Sequence, residues 1–154
     1  MAEGKTRILA VDDDQPTREM LERSLSLRGF ECIVVGSAVE AAELLAEEDF
    51  DLLLLDILMP GKSGMELLRV VADRPRMAVV VLSAFADAFA ATKAIKVGAD
   101  DYVTKPVNLD ELAVRIERAI ERRTMLAQNE HMKKAIDEFT ALADGSPSKP
   151  VAWP

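Results

Sequence analysis

Phe50-Asp51-Leu52-Leu53-Leu54-Leu55-Asp56-Ile57-Leu58-Met59-Pro60-Gly61 is an apolar run that stops at a carboxylate. Its consecutive leucines, entered from Asp51 and left through Met59-Pro60-Gly61, lack the alternation of a half-exposed strand. They read as a short strand buried on both faces, as in a parallel sheet covered by helices. Asp56 sits where that strand stops. A carboxylate facing apolar packing is costly, so Asp56 is expected at the open edge of the sheet, against water or a cation. In open α/β sheets that edge, beyond the carboxyl ends of the strands, is where ligands bind.

Working outward, the same pattern recurs. Arg7-Ile8-Leu9-Ala10-Val11 is a short apolar strand ended by Asp12, Asp13 and Asp14. Pro16 suits the first turn of a helix capped by Asp14, with Met20, Leu21, Leu25 and Leu27 on its apolar face and Gly29 as its stop. Cys32 to Val35 form a second strand, Gly36-Ser37 a turn, and Val39 to Glu48 a second helix. After the leucine strand, Met65 to Val71 fit a third helix ending near Asp73 and Pro75. Ala78 to Leu82 make a β-branched strand that ends at Ser83. A fourth helix runs from about Asp87 to Val97 with Gly98 as its stop, and Tyr102-Val103 form the core of a brief fifth strand reaching Lys105-Pro106. Strands alternating with helices at this spacing mean right-handed βαβ units, so the fold is expected to be (βα)5, a doubly wound parallel sheet; a 2-1-3-4-5 order would make its first and third strands neighbours at the switch point.

Composition sets the bounds. The chain has 154 residues, enough for one ordinary domain, and with 49% hydrophobic and 5% aromatic residues its core must be aliphatic. Its single cysteine, Cys32, rules out an internal disulfide framework and reads as a small buried hydrophobe. The first residues have no apolar signal-peptide core and no stretch of 18 apolar residues occurs, so a soluble cytoplasmic protein without membrane contact is expected. A net charge of −8 argues against direct nucleic-acid binding by this chain alone.

Asp12, Asp13, Asp56, Ser83 and Lys105 each fall just past the end of a different apolar run, and in a parallel sheet those ends share one rim. Unit charges about 4 Å apart repel by roughly 4 kcal/mol at an effective dielectric near ~20, so three ionised carboxylates need a compensating cation. All-oxygen ligands favour Mg2+, and Lys105 with the Ser83 hydroxyl could hold phosphoryl oxygens while Asp56 accepts the phosphoryl group.

The motifs Val11-Asp12-Asp13-Asp14, Leu55-Asp56-Ile57-Leu58-Met59-Pro60-Gly61 with Gly64, Ser83-Ala84 and Tyr102-Val103-Thr104-Lys105-Pro106 together resemble the receiver domain of two-component response regulators, a flavodoxin-like fold. The resemblance covers residues 5–122. It implies Asp56 as phospho-acceptor, Asp13 as a direct Mg2+ ligand, Asp12 as a ligand acting largely through water, and Leu58 lending its backbone carbonyl to the metal. It further implies that Ser83 and Lys105 bind the phosphoryl group, that Lys105-Pro106 is a cis peptide, and that Tyr102 is the switch aromatic. Partners implied are a sensor histidine kinase or histidine phosphotransfer protein, and a downstream protein or a missing output domain. Apolar Leu58 and Phe85, where some relatives carry groups that orient water, imply a long-lived phosphoryl group. A haloacid-dehalogenase-like phosphatase is the rival reading, because Asp12-Asp13-Asp14 also satisfies an Asp-x-Asp motif; it leaves Asp56 unexplained and wants an acidic motif after Lys105, whereas Asp100-Asp101 precede it. A receiver-like interaction module without phosphorylation is a third.

Between Asn108 and Ala143 no capped break appears, which allows a helix of about 50 Å. Residues 123–143 exceed what the sheet needs, and Met125, Asn129, Met132, Ile136, Phe139 and Ala143 form a short a/d seam suited to a homodimer or a signalling linker, the plain alternative being a surface helix resting on its own domain. Glu117, Arg118, Glu121, Arg122 and Arg123 read as a solvated face. Residues 144–154, rich in proline, read as a disordered tail or a truncated linker. His131, the only histidine, reads as a solvated helix residue.

Overall fold

The computed structural model describes residues 4–57, 64–74, 76–84 and 88–144. In chain order the elements are β1 (Arg7–Val11), α1 (Gln15–Leu27), β2 (Glu31–Val35), α2 (Ala38–Glu47), β3 (Leu52–Leu55), α3 (Gly64–Val71), β4 (Ala78–Ser83), α4 (Ala88–Val97), β5 (Asp101–Thr104) and α5 (Leu109–Asp144). All strand pairs are parallel and the order is β2-β1-β3-β4-β5. This is the (βα)5 sheet expected from the sequence.

The unbroken apolar runs follow from burial on both sides. Successive side chains of a strand point to opposite faces, so each central strand feeds two cores. Leu9, Val11, Leu53, Leu55, Val79 and Val81 face α2, α3 and α4, packing with Ala41, Leu45, Leu67, Leu68, Val71 and Ala94. Ile8, Ala10, Leu52, Leu54, Val80 and Leu82 face the other way, onto Leu21 and Leu25 of α1 and Leu112, Ile116 and Ala119 of α5. Each fully buried leucine stabilises the fold by about 1.5–3 kcal/mol relative to an exposed one, which is how a core with few aromatics holds.

Local chemistry sets the helix ends. The Asp14 carboxylate accepts the Thr17 amide at 3.1 Å to cap α1, and Asn108 Oδ1 accepts the Glu111 amide at 3.0 Å to cap α5. Helix α2 starts one residue earlier than the sequence reading has it. Ser37 is its cap, accepting the Glu40 amide at 3.1 Å, and its hydroxyl donates to the Glu40 carboxylate at 3.2 Å. Gly98 closes α4 at φ +138, where an added Cβ would meet Ala72 Cβ at 2.8 Å.

Helix α5 is continuous for 36 residues. Its first part covers the sheet through Leu112, Ile116 and Ala119; past Arg123 none of its described residues is buried, and Met125, Met132 and Phe139 are 56%, 60% and 72% exposed. The solvated face expected at residues 117–123 needs correction at its end. Glu117, Arg118 and Glu121 are exposed, but the Arg123 side chain is only 13% exposed and donates through Nε to both carboxylate oxygens of Asp100, at 2.8 and 3.0 Å. Arg122 donates to the same carboxylate at 2.7 Å. The physical reason is Asp100 itself: its side chain is 1% exposed, and a buried carboxylate requires cationic and amide partners, here completed by the Val79 amide at 2.8 Å. Arg123 also donates to the Gly98 carbonyl at 3.1 Å, tying α5 to the α4–β5 turn where the helix leaves the sheet.

Candidate functional site

The register of the sheet carries the candidate residues to one rim. Val11 pairs with Leu55, Leu55 with Val81, and Ser83 with Thr104, so Asp12, Asp56, Ser83 and Lys105 lie at neighbouring strand ends. Backbone ladders fix them there: the Asp12 amide donates to Val35 O at 3.2 Å, the Asp56 amide to Val11 O at 3.0 Å, and the Lys105 amide to Ser83 O at 2.8 Å. Gly64 at the start of α3 stands against this rim, since an added Cβ would lie 2.7 Å from Ile57 Cα.

Asp12, Asp56 and Ser83 are buried, at 1%, 5% and 0% exposure, whereas Asp13 is exposed. Asp12, Asp13 and Asp56 each place a carboxylate oxygen within 4.8 Å of the others. Lys105 Nζ donates to Asp12 Oδ2 at 2.7 Å and to Asp56 Oδ2 at 3.3 Å. Burial alone pulls the Lys105 pKa down, but the Asp12 hydrogen bond and the charges of Asp56 and Asp12 outweigh it, leaving the pKa above its ordinary value and the ammonium cationic at neutral pH. Asp12 Oδ1 accepts the Asp14 amide at 2.9 Å. Asp14 turns away to its capping role; hydrogen bonds from the Thr17 hydroxyl and amide hold its carboxyl below the usual range.

The donor set suits Mg2+. Three carboxylates supply hard oxygens only, and the Asp13 carboxylate makes no hydrogen bond or ion pair among the described residues, so one ligand position is uncommitted to protein. Tyr102 is half-buried and packs against the core on the α2–α3–α4 side of the sheet, one strand position short of Val103, which faces the α1–α5 side. The Lys105-Pro106 peptide is cis. Leu58 and Phe85, given roles above, lie outside the described residues. Asp100 and Asp101 sit at the opposite end of β5 from Lys105, engaged with Arg123 and Arg115. A contact the sequence reading passed over is Arg18, whose Nη1 donates to the Asp12 carbonyl at 2.7 Å. Its only sequence signal is its place one helical turn past the cap. Among the described residues no helix is long and apolar enough to cross a membrane.

Comparison with known proteins agrees with the geometry. Regulatory protein AtoC of Escherichia coli is 35% identical over 131 residues, covering 84% of this chain but only 28% of that protein's length. A receiver domain protein (CheY-like) from Methanospirillum hungatei JF-1 shares 30% identity with a TM-score of 0.74, over 79% of this chain and 98% of that one. TrrA of Thermotoga maritima, solved in complex with Mg2+ and BeF, shares 31% identity with a TM-score of 0.68, over 74% of this chain and 98% of that one. The family model for the response regulator receiver domain matches residues 8–117, and with the five-stranded sheet and its acidic rim already in place, the chain belongs to that family.

Proposed function

We propose that this chain is a phosphorylation-dependent switch in which Asp56 accepts a phosphoryl group from a sensor histidine kinase or histidine phosphotransfer protein. The observation that carries the reading is the convergence of Asp12, Asp13 and Asp56 within 4.8 Å, with Lys105 bridging Asp12 and Asp56. An Asp56 carboxylate oxygen attacks phosphorus in line with the donor nitrogen; the new P–O bond forms as the P–N bond breaks, and the imidazole leaves. Lys105 shifts from the carboxylates onto a phosphoryl oxygen, and the Ser83 hydroxyl takes another. When bound, Mg2+ would be held by Asp13 and Asp56, with Asp12 and the Leu58 carbonyl as further ligands, and would supply the positive charge that lets an anionic donor approach three carboxylates. As Ser83 moves toward the phosphoryl group, Tyr102 fills the space it leaves and alters the α4–β5–α5 surface that partners read.

Labelling with acetyl phosphate tests the chemistry. Mg2+-dependent label lost in Asp56→Asn is expected; label retained in that variant, or lost only in Asp12→Asn, sinks the reading in favour of the phosphatase. Equal phosphorylation and equal partner affinity in Tyr102→Ala would reduce Tyr102 to packing. With apolar residues two positions past the acceptor (Leu58) and two past the serine (Phe85) in the sequence, the label should persist well beyond seconds.

We assign residues 5–122 to the receiver, 123–143 to a helical extension and 144–154 to a tail or linker, acting in the cytoplasm. The extension's exposed seam, Met125, Met132, Ile136 and Phe139, is proposed to pair with a second copy, with Asn129 setting register. Phe139→Lys should leave the melting temperature of the domain unchanged and shift light-scattering mass toward the monomer; an unchanged mass argues against pairing. The output is a downstream protein or a further domain.

A further inference from the structure

Asp12 is gripped at every polar atom, each time from a different part of the fold. Its amide donates to Val35 O of β2, Oδ1 accepts the Asp14 amide, Oδ2 accepts Lys105 Nζ, and its carbonyl accepts Arg18 Nη1 of α1. Asp13 is the reverse case. It is exposed and its carboxylate has no hydrogen bond or ion pair among the described residues, yet it reaches within 4.8 Å of Asp12 and Asp56. With no partner to steer the side chain, its direction comes from the backbone. The peptide that sets that direction joins Asp12 to Asp13, and its oxygen is the one Arg18 holds at 2.7 Å.

The path of Arg18 is itself shaped for this. It runs beside the β2–α2 turn, where a Cβ on Gly36 would stand 3.1 Å from Arg18 Nη1 and 3.5 Å from Cζ. Glycine at that turn leaves room for the guanidinium; a larger residue would press on it. The bond is charge-assisted and links α1 to the rim rather than to another surface group, which distinguishes it from the solvated arginines elsewhere on the chain.

We propose that Arg18 is a positioning residue for the metal site: by fixing the Asp12–Asp13 peptide plane it aims the Asp13 carboxylate toward Asp12 and Asp56, with which it would hold Mg2+. This rests on the metal reading above. Groups that support a ligand from behind weaken metal binding by about tenfold or more when removed, because the ligand must then be ordered at the moment of binding.

Calorimetric titration of the full chain with Mg2+ tests it. Arg18→Ala is expected to bind Mg2+ about tenfold more weakly than the unsubstituted chain. Arg18→Lys, which keeps a cationic donor, should recover part of the loss. Acetyl phosphate labelling of Asp56 should then need more Mg2+ for half-maximal rate while reaching the same maximum, a split that general loosening of the fold would not give. Mg2+ affinity of a folded Arg18→Ala variant within about twofold of the unsubstituted chain overturns the proposal; Arg18→Gln carries the same test should the alanine variant not fold. Asp13→Asn separates the two levels. If it abolishes Mg2+ binding while Arg18→Ala does not weaken it, only the role of Arg18 falls; if Mg2+ binding survives Asp13→Asn, the metal reading and this proposal fall together.

Discussion

Replacing Lys105 by methionine keeps most of its length and removes the cation that bridges Asp12 and Asp56. In the absence of metal the two buried carboxylates then face each other. At the 4.8 Å limit of their separation and an effective dielectric of about 20, they repel by roughly 3.5 kcal/mol or more. That repulsion is present in the parent too, where Lys105 offsets it; removing one partner of a buried pair costs about 3–5 kcal/mol, so Lys105→Met should destabilise the metal-free protein by about 3–4 kcal/mol, less about 1 kcal/mol for no longer burying a partly exposed ammonium. Urea unfolding followed by circular dichroism in EDTA and in saturating Mg2+ reads this directly. Because the ion replaces the missing charge, the variant should gain more from Mg2+ than the parent does, and the gap should narrow. A ligand at about 100 times its Kd adds about 2.7 kcal/mol, so the narrowing is measurable. A gap of the same size with and without Mg2+ would refute the view that Lys105 and the ion compensate the same carboxylates.

Other expectations follow from single contacts. Arg123→Ala leaves Asp100 buried with only Arg122 and the Val79 amide, and should cost about 2–3 kcal/mol in urea unfolding, reduced from the value for a fully broken buried pair because the exposed Arg122 remains; a loss below about 0.5 kcal/mol would show the clamp to be dispensable. Burial, aided by Glu22, pushes the Cys32 thiol up to about 12, so at about pH 8 its alkylation should run about a thousandfold slower than that of a free thiol near pKa ~9, and rapid labelling of the native chain would contradict the packing. Asp14 has its carboxyl held below 3.8, so its contribution to stability is present above that value and is lost as pH falls through the lower folded value. The stability difference between Asp14→Ala and the parent, measured in EDTA, should therefore close only in acid below about pH 4, and a gap that closes at about pH 6 is inconsistent with the cap.

Runs such as Leu52–Leu55 and Ala78–Leu82 announced strands because a parallel sheet buries both faces, leaving no alternation to confuse with a helix. Their polar terminators then named the rim, since a polar residue ending an apolar run has to emerge where water or a ligand waits. Boundaries were harder. From sequence Ser37 reads as part of a turn, although the Ser-x-x-Glu spacing to Glu40 is a helix-start signal. The Asp100–Arg123 clamp was invisible for a different reason: a pair separated by 23 residues has no period, and arginine next to glutamate on a helix looks like any wet surface until the fold buries its partner. Arg18 was missed likewise, because its target is a backbone carbonyl, which no residue type reveals.

The uninterrupted run of α5 has a mechanical consequence. From the Arg123 anchor to Asp144 the helix acts as a lever about 32 Å long, fulcrum at the α4–β5 turn. A tilt of about 5° there would swing the far end by about 3 Å, and one residue inserted into the lever would rotate everything beyond it by about 100°. Direction at the tip is thus dictated by how α5 is seated on the sheet and clamped at this joint, and phase by residue count.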